Sequence, residues 1–527
     1  GQATTGAPAS TDVGNSFVRV STNGLRPLST AAADAEYVFE SAGFNALAAS
    51  TASNVRFTAT PGATLTASGA SPRTINSLVI DSTTAAVTVT GPGADSLALS
   101  SGALLSTGLA ANNTSLTGFA GITTATNNEY LFFVTNNQFT LGSPLTTVAA
   151  ALTKSGAGAL ILNGLTTNAY TGGTFFNQGL IEASALSNLG PSGGLNFFGG
   201  GLRWATGATF DISDRTVTVG SGGAVFDTNG NSITFASAIG NSGTGGLTKN
   251  GAGTLTLSAA NTFTGGFTLN AGTVFAGTNT SFGTGTVTLN AGVISAVGSS
   301  ARTFANAVVL GGDLTFGATG NLGDLTFGAL SVGSSARTLT TVANTAFTGA
   351  FSGSGDLTKD GAGTLTLSGA STFSGSVTLN SGSLITLGNN RLGASSGVTV
   401  ASGTTLSLGG DETIDTLANS GTVTIGGILT TGATDYTLGG VLNGTGSLNK
   451  AGAGILTLAL ATDHTGGTTV SAGTLLLGAA ERLVDTGSLT VAGGTFDLGG
   501  HTERVGAFVL AGGTVTRGHL VASSYEL

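Results

Sequence analysis

Four near-identical segments narrow the architectures open to this chain. LTKSGAGALIL occupies 152–162, LTKNGAGTLTL 247–257, LTKDGAGTLTL 357–367 and LNKAGAGILTL 448–458. Their lysines, Lys154, Lys249, Lys359 and Lys450, are all the lysines of the chain. Each copy runs on to a corner of the form aromatic–Thr/Ser–Gly, with Tyr170, Phe263 and Phe373 in the first three copies and His464 in the fourth. SSART recurs at 299–303 and 334–338, and DLTFG at 313–317 and 324–328. A sequence duplicated in this way folds by stacking like units on one another.

A shorter period lies inside the longer one. FTLNAG (267–272), TVTLNAG (286–292), VTLNSG (377–382) and SLTVAGG (488–494) alternate apolar and hydroxyl residues and stop at glycine. Period-two alternation buries one face of a strand and wets the other. The glycines supply the positive φ of tight turns. Leu269 is answered by Leu289 in the next such segment, and Val491 by Leu510. A strand–turn unit returning about every 20 residues predicts an all-β parallel β-helix, a β-solenoid with rungs of about 20 residues.

Composition fits this and excludes much else. Glycine accounts for 89 of 527 residues, charged residues for 8%, and cysteine and methionine are absent. No disulfide, thiolate metal site or cysteine nucleophile is possible. With 40% hydrophobic residues the chain has enough apolar surface to fold, unlike a disordered polymer. Seven prolines without a Gly-X-Y period exclude collagen. The surface must be built from Thr, Ser and Asn, and branched Thr suits an exposed strand. A net charge of −9 with scattered acids and no basic run argues against nucleic acid and anionic membranes as partners. No apolar run is long enough for a membrane-spanning helix, so no membrane insertion is expected. The chain begins GQATTGAPAS without Met or a signal segment and reads as a product from which a leader has been removed.

Candidate chemistry lies in the acids, the histidines and a few short motifs. Asp211, Asp214 and Arg215 lie in TFDISDRTVTV, and Asp411, Glu412 and Asp415 in DETID. Strand residues three apart face opposite ways and residues four apart are about 13 Å distant, so neither group makes the paired carboxylates of a glycosidase unless a turn intervenes. His464, His501 and His519 show no metal-ligand spacing, and His464 takes the corner place held elsewhere by Tyr or Phe. GASSG (393–397) matches a nucleophile elbow only by composition. Trp204 reads as a corner or core aromatic. No catalytic, cofactor-binding or metal residue is assigned. The four lysines, Tyr170, Phe263, Phe373 and His464 are taken as structural repeat positions. The lysines are placed on the Gly-Ala-Gly corner as solvated charges, with binding of an anionic glycan or a neighbouring molecule as the secondary reading.

The unit LTKxGAGTLTLSGxNTFTGGxTLNAGTL resembles the passenger-associated, or autotransporter-associated, β-strand repeat of bacterial surface proteins. The match is close from 247 and 357, good from 448 and looser from 152, over about a quarter of the chain. The resemblance implies a right-handed parallel β-helix exported to the bacterial surface or beyond. It also implies a translocator β-barrel, and nothing of that kind is present in this sequence, which stops at SSYEL (523–527). Residues 1–50, with ADAEYVFESAGF (33–44), are expected to form a cap or irregular start containing a short helix or loop, and 51–527 a continuous β-helix with motifs at 152–182, 247–274, 357–384 and 448–475. The preferred function is a non-enzymatic extracellular structural protein that associates with itself, end to end or laterally, into a fibre or surface layer. A monomeric adhesin, with surface glycans or host matrix as partners, is the alternative. A polysaccharide-degrading β-helix enzyme comes third.

Overall fold

A computed structural model describes residues 18–21, 24–27, 38–40, 54–58, 64–66, 73–124, 129–162, 167–240, 243–393, 397–432 and 434–527. The chain divides into two compact units, Gly1–Phe267 and Thr268–Leu527. Both are parallel β-solenoids, as the alternation predicts. Among the described residues no α-helix occurs; the one helical element is a 3-10 turn at Leu186–Leu189. No helix is long and apolar enough to cross a membrane.

In the N-terminal unit a first parallel sheet climbs from Val38–Glu40 through Arg73–Ser82, Ser96–Gly108, Glu129–Val134, Ala151–Ser155, Thr174–Phe176 and Leu195–Phe197 to Val217–Val219. A second sheet includes Gln138–Gly142, Ala159–Ile161, Leu180–Ala183, Gly201–Trp204, Ala224–Asp227 and Leu247–Asn250. From Ala151 to Asp227 successive strands alternate between the two. Leu152, Thr174, Leu195 and Val217 are successive ladder partners on consecutive rungs. The C-terminal unit repeats the plan with Leu357, Val377, Val398 and Leu417. The expected rung length is found in both.

Of residues 33–44 only Val38–Glu40 is described, and it is a strand paired in parallel with Val55–Phe57, where a short helix or loop was expected. Earlier in the chain Val18–Ser21 and Gly24–Pro27 form an antiparallel pair. The rest of the expected cap lies outside the described residues.

The interior follows from the pleat. Strands such as Thr364–Leu367 and Thr405–Leu408 bury every second residue, and the buried Leu365, Leu384 and Leu406 stack in one column. Each fully buried Leu or Phe is worth about 1.5–3 kcal/mol, so stability accumulates rung by rung. Rings reinforce the stacks: Phe176 lies 4.2 Å from Phe197, and Phe351 4.4 Å from Phe373, both nearly parallel. Outside, uncharged side chains bond along the stack, as Asn290 does to Asn270 at 2.7 Å and Thr495 to Thr514 at 3.1 Å.

Candidate functional site

The motif lysines are not solvated. All four are 0% exposed, which corrects the corner placement expected from their charge. In each copy the Leu two residues earlier points inward, and a period-two strand sends the Lys the same way. The stem continues the apolar column and the ammonium turns back under the Gly-Ala-Gly corner. Nζ of Lys154 donates to the carbonyls of Ser155 (2.8 Å), Gly156 (2.7 Å) and Gln178 (3.1 Å). Lys359 repeats this with Asp360 (3.0 Å), Gly361 (2.7 Å) and Ser381 (2.9 Å). Lys249 donates to Asn250 (2.8 Å) and Gly251 (2.6 Å), and Lys450 to Gly452.

These carbonyls lie at the end of one strand and in the turn that follows it, and that of Asn250 also accepts from Thr228 N at 3.2 Å. An ammonium has three donors and no acceptor, so three converging carbonyls match its protonated form. Burial works the other way, pushing Lys154 down to about 7 and Lys249 and Lys359 to about 8. The glycines make the cage possible. Gly361 has φ of +78°, and a Cβ on Gly363 would lie 2.8 Å from the carbonyl oxygen of Ala343. The expected tight corner is thus present. Within each unit the two copies fall on different sheets, so the lysines form no column along a solenoid wall.

The aromatic corner residues Tyr170, Phe263, Phe373 and His464 are all buried. The two polar ones meet the residue four positions on. Tyr170 Oη meets Thr174 Oγ1 at 2.9 Å, and His464 Nε2 meets Thr468 Oγ1 at 3.0 Å and the Gly467 carbonyl at 3.2 Å. Where the corner is Phe263 or Phe373, the fourth residue is Phe267 or Val377. His464 therefore replaces Tyr with a matching partner, and burial holds its imidazole below the ordinary value.

The acids serve the backbone. Asp211 accepts from the amides of Ser213 (2.7 Å) and Ala236 (2.8 Å), while Asp214 is exposed. Asp411 accepts from Ile428 N at 2.8 Å, and the neighbouring Glu412 is buried on the other face. Its carboxylate takes Arg391 N at 2.7 Å and Leu392 N at 3.3 Å. Glu503 does the same for Arg482 N (2.8 Å) and Leu483 N (2.7 Å). Asn390 and Glu481, just before these amides, have φ of +53° and +54°, so successive N–H groups form a small anion nest filled by the next rung's glutamate. Sequence reading missed this pair, although Arg-Leu recurs at 391–392 and 482–483 with Glu412 and Glu503 at equal distances beyond.

The structure brings His501 and His519 to neighbouring rungs, with His519 N donating to the His501 carbonyl at 3.0 Å. Among the described residues no group of three or more His, Asp or Glu could hold a metal ion. Trp204 is a core residue, as read: its Nε1 donates to the Phe210 carbonyl at 3.0 Å and its ring packs on Phe226 and Phe235. Part of GASSG lies outside the described residues.

These observations define a parallel β-solenoid built from a repeated strand–corner unit that turns most of its buried ionisable groups onto its own backbone. The chain carries passenger-associated repeats: the passenger-associated-transport-repeat family model matches residues 152–183, 247–274, 357–385 and 448–477. Over 364 residues, 64% of this chain, it is 28% identical to the adhesin BmaC autotransporter of Brucella suis biovar 1 (strain 1330), and it spans about a tenth of that protein's length (10%). No solved structure matches.

Proposed function

We propose that this chain is a stretch of an extracellular, non-enzymatic passenger whose solenoid presents an adhesive surface on a bacterial cell. The observation that carries the reading is the set of four passenger-associated repeats on a wall of hydroxyl and amide side chains, in a chain similar to an adhesin autotransporter. Of the acids singled out as catalytic candidates, Asp211, Asp411 and Glu412 are engaged with backbone amides. The repeat lysines and corner aromatics are structural in this reading: they close corners and leave the outer wall free for contact. Export would require removal of a leader.

Display of the chain on a non-adherent bacterium through a heterologous anchor tests the proposal. Adherence to cultured animal cells and matrix-coated plates should rise well above that of the anchor alone. A chain detected at the surface by antibody, with no gain in adherence, overturns it. Self-association is a second reading, favoured by wide uncharged faces such as the Thr495–Thr514 ladder. Clumping of the displaying cells, with filaments in electron micrographs, would select it.

A further inference from the structure

The first sheet of the N-terminal unit carries an unusual outer face. Phe133, Ser155, Asn177 and Phe198 follow one another on four successive rungs in one outward column. In the adjoining column Phe175 pairs with Asn196. Phe133 and Phe198 are three rungs apart, about 14 Å at ~4.8 Å per rung. Phe175 lies between them on the diagonal.

The rings are held. A Cβ on Gly220, one rung beyond Phe198, would lie 2.4 Å from Phe198 Cδ1, so the ring rests directly on glycine backbone. Phe133 is half-buried against Val79 and Leu105 of the two preceding rungs, its Cε1 3.1 Å from a Cβ built on Gly156. One side of the Phe198 ring is thus fixed against the wall, while 46% of the residue stays exposed. Asn177 Nδ2 reaches Ser155 Oγ at 3.4 Å, and Asn177 is exposed. None of these six side chains carries a charge.

Open aromatic faces alternating with amides and hydroxyls, without charge, match one ligand chemistry. The axial C–H faces of a pyranose pack on an aromatic ring, and its hydroxyls exchange hydrogen bonds with amides and alcohols beside it. An acidic glycan would find no cationic side chain among these six residues, and the nearby carboxylate of Glu129, bonded to Thr153 one rung before Phe175, would repel it. We propose that the outer face between Phe133 and Phe198 binds an uncharged oligosaccharide, with Phe175 and Phe198 as stacking platforms and Asn177 and Asn196 as hydrogen-bonding partners. This rests on the adhesive reading above and gives it a site and a ligand class.

The test applies the purified full chain to an immobilised array of neutral glucose-, galactose- and mannose-containing oligosaccharides beside sulfated and sialylated ones. Neutral glycans should bind. Phe175→Ala and Phe198→Ala should each weaken that binding by about tenfold or more. Phe198→Trp should keep it, which a purely structural role for the ring would not require. Thermal unfolding of each variant checks that the wall is intact, and Phe175→Ala serves if Phe198→Ala fails to fold. Equal binding by wild type and both variants overturns the proposal, as does binding confined to sulfated or sialylated glycans, or none. Loss of a dimer on Phe198→Ala in sedimentation would assign the face to a second copy and likewise overturn it. A displayed chain that adheres to cells yet ignores neutral glycans removes this site and leaves the adhesive reading standing; a chain that does neither removes both.

Discussion

Replacing Lys359 with methionine isolates the ammonium cage. Methionine keeps a stem of similar length and removes all three donors. The carbonyls of Asp360, Gly361 and Ser381, now at 3.0, 2.7 and 2.9 Å from Nζ, lose their partner where the side chain is 0% exposed. Hydrogen bonds to a charged group contribute about 1.5–3 kcal/mol each, so the three are worth about 4.5–9 kcal/mol. Against this stands the cost of burying the cation. A shift from 10.5 to about 8 corresponds to ~3 kcal/mol, which methionine recovers. The expected net loss is about 1–6 kcal/mol, centred near 3, or roughly a hundredfold in a local opening equilibrium. Solenoid rungs open locally, so the assay is amide hydrogen exchange followed by mass spectrometry on the full chain. Peptides covering 357–386 should exchange about a hundredfold faster, while those around the Lys154 cage keep their wild-type rates. Exchange within about threefold of wild type over 357–386 would refute the reasoning. The carbonyls would then be satisfied without the ammonium, and the lysine would be a stem with no cage.

The other expectations concern the neighbouring corners. Burial depresses the folded-state value of His464, so the unfolded chain takes up the proton first; its contribution is fully present above the unfolded value near 6.5 and is lost as pH falls below it. His464→Tyr, which restores the Tyr170–Thr174 type of pair with Thr468, should flatten that loss in local hydrogen exchange between pH 7.5 and 5; an unchanged pH dependence would assign it elsewhere. Gly361→Ala places a side chain at φ of +78°, with its Cβ 2.5 Å from the Thr341 carbonyl oxygen. The left-handed backbone alone costs about 1–2 kcal/mol, and the clash adds to it, so the midpoint of urea unfolding should drop. Glu503→Gln turns an amide donor towards one of the two backbone N–H groups of Arg482 and Leu483. It should cost about 1–3 kcal/mol and open the 478–484 corner to protease before the rest of the chain.

Much of this protein is written in its sequence because the rules it obeys are local. Alternation in TLTLS and VTLNSG, closed by glycine, sets strand length, facing and turn. The regular return of that unit sets the parallel stack. The family resemblance rested on the same residues, and the family-model segments end at 183, 274, 385 and 477, close to the spans read from the sequence. The inward lysines were legible too, since each stands two places after an inward Leu in one strand. Their charge argued for solvent only because their partners come largely from corner carbonyls, and for Lys154 and Lys359 also from the next rung at Gln178 and Ser381.

What the tertiary structure alone decided is the phase of one rung against the next. Rung length varies with the corners: Leu384, Leu406, Val423 and Leu442 are successive partners, yet they are unevenly spaced along the chain. Such differences accumulate, so equal motifs land on different sheets and no count along the sequence says which. The same phase carries Glu412 under Arg391, Glu503 under Arg482, and Gly220 under the ring of Phe198. Each contact joins residues one full rung apart, and a slip by a single position would turn the side chain to the opposite face of its strand.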